Sequence, residues 1–134
     1  MAFTLTPERQ YPVTAVIEAL FSELPTGVAT NVIKLPPNSV VLGGGVFVQT
    51  ADNGGTSVVL DVGDADQGDL YVTDLDAKTA NESEQFDVTE IGKLYTNGGF
   101  IKATRVEGGT ASTAGKVRIW ATYAILGKAA EVQP

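Results

Sequence analysis

The feature that most constrains the fold is the stretch "KVRIWATYAIL", Lys116 to Leu126. Its odd positions, Val117, Ile119, Ala121, Tyr123 and Ile125, form one apolar row. Lys116, Arg118, Trp120, Thr122 and Ala124 point the other way. Strict alternation of this kind describes a strand with one face on a core. Nothing along the chain demands a helix. Short runs rich in Val, Ile and Thr are broken by turn residues, and 15 glycines punctuate them.

Further strands are expected at "GFIKATRV" (Gly99 to Val106), "SVVLGGGVFVQTA" (Ser39 to Ala51), "TSVVLDV" (Thr56 to Val62), and within "GVATNVIKLPPNS", ending at Pro36 and Pro37. The loop "DNGG", Asp52 to Gly55, separates two β-branched runs and reads as a hairpin turn. Gly43, Gly44 and Gly45 lie inside a strand pattern and point to a bulge or a close backbone approach. "LYVTDL" (Leu70 to Leu75) and "QFDVTEI" (Gln85 to Ile91) are shorter candidates, joined by the polar "DAKTANESE". In "PVTAVIEALFSELP" the apolar residues fit both a helical and a strand period. The β character of everything downstream favours the strand.

The expectation is therefore an all-β chain. It is an antiparallel β-sandwich or jelly roll of about eight strands over residues 13–134, preceded by an extended N-terminal arm over residues 1–12.

Composition removes whole classes of chemistry. The chain has 134 residues with no cysteine and no histidine. Disulfides, thiolate or imidazole metal sites, and Ser-His-Asp or Cys-His catalysis are excluded. No enzyme, and no cofactor, is expected. No secretory pattern follows Met1, and no window approaches the ~20 apolar residues of a membrane helix, so no membrane role is expected. A net charge of −7 disfavours nucleic acid as a partner.

The charge is unevenly placed. Asp61 to Glu90 holds ten of the sixteen acids and one base, Lys78; Lys93 to Pro134 holds six bases and two acids. The two regions attract each other either within one fold or across a subunit boundary.

The acidic stretch "DVGDADQGDLYVTDLDA" fails as an EF-hand: counted from Asp64, position 6 is Asp69 and position 12 is Leu75. It reads as a solvated turn between strands. A β-loop calcium site on Asp61, Asp64, Asp66 and Asp69 is kept as the alternative. Trp120 is the single tryptophan. It lies opposite the core-like face, so it either marks an interface or sits on a strand covered on both sides.

The order of these segments resembles a known family. An apolar strand with "GGG", the "DNGG" turn, "VGD" with an acidic turn before "LYVTDLD", then "GGFIKATRV", a Thr/Ala/Gly loop and "AGKVRIWATYAIL" are similar to the capsid decoration (cement) proteins of tailed bacteriophages. The likeness covers about Leu35 to Leu126. It implies a β-sandwich or jelly-roll homotrimer that binds major capsid proteins on the outer surface of the virion after assembly in the host cytoplasm. The residues themselves nominate the contacts: Phe3, Leu5, Arg9 and Tyr11 on the arm, and Arg118 and Trp120 on the outward face of the last strand. The alternative is a receptor- or glycan-binding module of a fibre or tail, calcium-dependent through the acidic loop, with Trp120, Tyr71 and Tyr95 as its aromatic candidates.

Overall fold

The structure is a computed structural model that describes residues 11–126. Two antiparallel sheets stack face to face, and nine strands are found among the described residues. The first sheet runs β1 (Val13–Leu20), β9 (Lys116–Ile125), β3 (Ser39–Thr50), β6 (Ser83–Gln85), with β7 (Leu94–Tyr95) also paired to β3. The second runs β2 (Ala29–Leu35), β8 (Gly99–Gly108), β4 (Ser57–Gly63), β5 (Val72–Asp76).

The alternation in the last strand sets the first sheet. Val117, Ile119 and Ala121 are buried, opposite Ala19, Ile17 and Ala15 of β1 and Val48, Val46 and Gly44 of β3. In the second sheet Ile101 and Ala103 of β8, Val58, Leu60 and Val62 of β4, and Ile33 and Leu35 of β2 close the core from the other side. Each fully buried Val, Leu or Ile contributes about 1.5–3 kcal/mol. The segment of ambiguous period is a strand as far as Leu20, where a single 3-10 turn, Phe21–Glu23, ends it.

Two expectations are corrected. "DNGG" is not a hairpin turn: β3 belongs to the first sheet and β4 to the second. A two-residue hairpin of the type I′ class needs left-handed backbone at both central residues, and no residue from Asp52 to Gly55 adopts it. The segment is held by distant partners instead. Asp52 donates its N–H to Ala77, Gly55 donates to Thr110, and Thr56 donates to Gly108. The second correction concerns "QFDVTEI". Only Ser83–Gln85 pairs as a strand; Val88–Glu90 is a 3-10 turn, because the Asp87 carboxylate accepts the Thr89 N–H at 3.0 Å.

The glycine run behaves as its sequence suggests. The register slips between Val41 and Gly43. A Cβ on Gly44 would stand 2.5 Å from the Phe86 ring, and one on Gly45 would stand 2.6 Å from the Trp120 ring. Bare backbone at these two positions lets one ring pack beneath the sheet and another above it.

Candidate assembly surface

Two buried polar clusters tie the sheets together, one before β4 and one after it. After β4, Asp64 is 4% exposed although it sits in the acidic turn. Its Oδ2 accepts from Lys93 Nζ at 2.5 Å and from the Tyr95 hydroxyl at 2.7 Å, and its Oδ1 accepts the N–H groups of Asp66 and Gln67. The Tyr71 hydroxyl lies 2.7 Å from that of Tyr95 and, with Tyr95 donating to Asp64, donates to it. Burial works against the Asp64 charge, but Lys93 and Tyr95 outweigh it and hold the carboxyl below the usual range. Burial also pushes the Tyr95 hydroxyl far up, reinforced by Tyr71 and Asp64.

The solvated-turn reading is therefore corrected at Asp64. The partners that bury it lie about thirty residues away in sequence, where the turn's own composition gives no hint of them. The rest of the turn follows expectation: Ala65, Asp66, Gln67 and Gly68 are exposed.

Before β4, Arg105 occupies an inward position of β8 and is 5% exposed. Its Nε donates to Asp52 at 2.7 Å, its guanidinium donates to Glu107 at 2.5 Å and to the Leu24 carbonyl at 3.2 Å, and it also reaches Ser112. Burial opposes the Asp52 charge, yet Arg105, Ser112 and the Gly54 N–H hold its carboxyl below the ordinary value. In the sequence Arg105 stands only as one of the six bases from Lys93 to Pro134. Its parity with Ile101 and Ala103 was the signal that it faces inward.

These pairs decide part of the charge question. Lys93 joins the acidic stretch to the basic region within one fold, through Asp64 and, at 3.5 Å, Asp66. The other described ion pairs lie elsewhere: Arg105 with Asp52 and Glu107, Lys116 and Arg118 with Glu18. The four aspartates weighed for calcium are differently engaged. Asp61 accepts the Asp74 N–H at 2.7 Å, Asp64 is saturated, Asp66 faces Lys93, and Asp69 accepts from Gln67. No group of three or more acids placed to hold a metal ion occurs among the described residues.

The outward face of the first sheet carries the remaining candidates. Register stacks them in rows. Val16, Trp120, Gly45 and Gln85 stand side by side; the next row is Glu18, Arg118, Phe47 and Ser83. Trp120 is half-buried because its ring lies over Gly45. Arg118 donates to Glu18 at 2.6 Å and to Gln49 at 3.0 Å, and its guanidinium lies 5.9 Å from the Phe47 ring centre. Salt bridging holds the Glu18 carboxyl down, through Arg118 first and then Lys116. In the row above, the hydroxyls of Thr14 and Thr122 are 2.8 Å apart. Beyond them an apolar groove is lined by Pro12, Val40, Leu42, Ala124 and Leu126.

Arg118 and Trp120 thus share one face, neighbouring rows of the same strand. Tyr11 is 70% exposed just outside the start of β1. Phe3, Leu5 and Arg9 lie outside the described residues. Tyr71 and Tyr95 are buried, and Tyr71 stacks on Phe86 at 4.6 Å, so neither offers a ring to a sugar.

Comparison with known proteins adds the fold's relatives. No protein-family model and no curated protein matches the chain. Among solved structures it is similar to a chain of the capsid asymmetric unit of cyanophage Pam1. The TM-score is 0.69 at 22% identity, over 93% of this chain and 92% of that one. It is also similar to a chain in the capsid of Ralstonia phage GP4, with a TM-score of 0.66 at 16% identity over 92% and 90%. A third likeness is to a chain in the acid-stable capsid of Helicobacter pylori bacteriophage KHP30, with a TM-score of 0.62 at 15% identity over 87% and 93%. At these identities the likeness establishes a shared fold along nearly the whole chain.

Proposed function

We propose that this chain is a non-enzymatic structural protein of a tailed-phage head. In this reading it assembles in the host cytoplasm and binds the outer capsid surface as a homotrimer that bridges major capsid proteins. The observation that carries the reading is the near end-to-end fold likeness to chains from three phage capsids. The outward face of the first sheet supports it. Trp120 and Phe47 present aromatic surface there, and Arg118 is held in place by Glu18 and Gln49. Aromatics and arginine are the side chains that most often dominate association energies. The arm residues Phe3, Leu5, Arg9 and Tyr11 supply the second contact surface, between subunits.

The work of such a protein is binding energy. A protein that binds the mature shell more tightly than the immature or dissociated one stabilises the mature shell by mass action. Several weak contacts per trimer add avidity without any one being strong. The test is sedimentation of purified protein with heads that lack it. Saturable binding by a trimer is expected. A monomer by light scattering with no saturable binding would overturn the reading.

A further inference from the structure

β1 is an edge strand with an unguarded flank. Phe21 continues its register and donates its N–H to Gly115 at 2.9 Å. In an antiparallel ladder the bonded positions alternate. The odd residues of β1 therefore bond to β9, and the even ones turn their N–H and C=O groups outward. Leu20 fits this: its outward N–H is taken by the Glu23 carboxylate at 2.9 Å. The backbone groups of Thr14, Val16 and Glu18 have no partner strand among the described residues. Edges are ordinarily protected by a charge, a proline or a bulge. Here the pairing with β9 is unbroken from Val13 to Leu20, and the one charge, Glu18, is held by Arg118 and Lys116. The inward residues Ala15 and Ile17 are only half-buried at this margin of the core.

The chain outside the described residues holds a matching segment. Phe3-Thr4-Leu5-Thr6 alternates apolar with polar after Ala2, and Pro7 ends it. We propose that Ala2–Thr6 of a neighbouring copy adds antiparallel to the open edge of β1, with Leu5 opposite Ala15 and Phe3 opposite Ile17. This register places both large side chains over the half-buried margin of the core. It sets Thr6 beside Thr14, extending the Thr14–Thr122 hydroxyl pair. It also puts Pro7 opposite Val13, an odd position where no edge N–H is required.

The link to β1 points to exchange between copies. Pro7 to Pro12 reads "PERQYP". No Gly, Asn or Asp supplies the backbone angles of a tight turn, and each proline pushes the residue before it, Thr6 or Tyr11, to extended backbone. Six residues span at most about 20 Å, enough for the segment to reach a neighbouring copy. The inference deepens the oligomer proposed above by naming what joins its subunits, and its test needs no capsid.

The native chain has no cysteine, so introduced pairs report cleanly. Odd positions of β1 are non-bonded pairs on the edge side, with Cα atoms about 4.5 Å apart, within disulfide reach. The full-length Leu5→Cys, Ala15→Cys variant is oxidised mildly and run denatured without reductant. Covalent products of two or more chains are expected, absent from either single variant and from Leu5→Cys with Thr14→Cys. A link only within one chain overturns the exchange. No link at all, while Thr14→Cys with Thr122→Cys does close, overturns the docking. Amide exchange in the unaltered oligomer gives a second reading. Val16 and Glu18 are expected to be protected, with loss of protection on deleting residues 2–10; fast exchange at both in the intact protein overturns the proposal. Saturable head binding alongside either failure would leave the capsid reading standing.

Discussion

Replacing Arg105 by Met should be the most damaging single change in the core, and its size follows from what the guanidinium touches. It is 5% exposed and lies 2.7 Å from an Asp52 carboxylate that is 4% exposed. The cavity beside them is about 10 Å³, about the room of one water. Breaking a buried ion pair from one side costs about 3–5 kcal/mol, because the remaining charge stays buried alone. Total stabilities are about 5–15 kcal/mol; the melting temperature should fall by about 10–20 °C at pH 7.

The sign with pH can be worked out. The Asp52 carboxyl is depressed in the fold. Its contribution is present above the unfolded value of about 3.9 and is lost as pH falls through the folded value. In Arg105→Met the carboxyl is stranded, so its cost shrinks once it protonates. Thermal melts of wild type and variant should converge below about pH 4. Pairing Arg105→Met with Asp52→Leu removes both charges and should recover much of the loss, since apolar replacements of buried pairs are often neutral. A loss below about 1 kcal/mol at pH 7, or no recovery in the double variant, would refute the view that this pair holds the sheets in place.

Asp64→Asn removes the charge from the Lys93 bridge and weakens the acceptor of Tyr95. A loss of about 1.5–3 kcal/mol is expected in chemical denaturation at pH 7, narrowing as pH falls through the depressed Asp64 value. Gly63→Ala should cost about 1–3 kcal/mol, because its Cβ would stand 2.1 Å from the Gln67 carbonyl oxygen. Gly43→Ala, which meets nothing within 4 Å, should melt within a degree or two of wild type. Trp120 is the sole tryptophan and lies on the outward face, so its emission should shift to the blue when heads are added; unchanged emission on saturated heads would remove Trp120 from the contact.

Where side chains alternate against a single core, the sequence was readable. Lys116 to Leu126 declares its faces because neighbours on both sides enforce them. β1 was ambiguous because it is an edge, where Val13, Val16 and Leu20 remain exposed and blur the period. The misread hairpin shows local turn chemistry overruled by distant bonds to Thr110, Gly108 and Ala77. Asp64 was opaque for the same reason, since Lys93 and Tyr95 lie about thirty residues away; the parity of Arg105 marked it as inward but did not name Asp52 as its partner. The pairing of Gly45 with Trp120 was half legible. The glycine run announced a close approach, but not which ring would make it.

The placement of the final strand has a bearing on how the molecule comes into being. β9 is the last described strand, yet it lies between β1, the first, and β3. Until Lys116 to Ile125 has been synthesised, both neighbours lack their central partner, and the ladder that joins Glu18 to Arg118 spans a hundred residues. Such long-range closure makes folding slow. It also makes the process self-inspecting: a chain that stops short of this strand lacks both Trp120 and the completed sheet on whose outward face Trp120 lies.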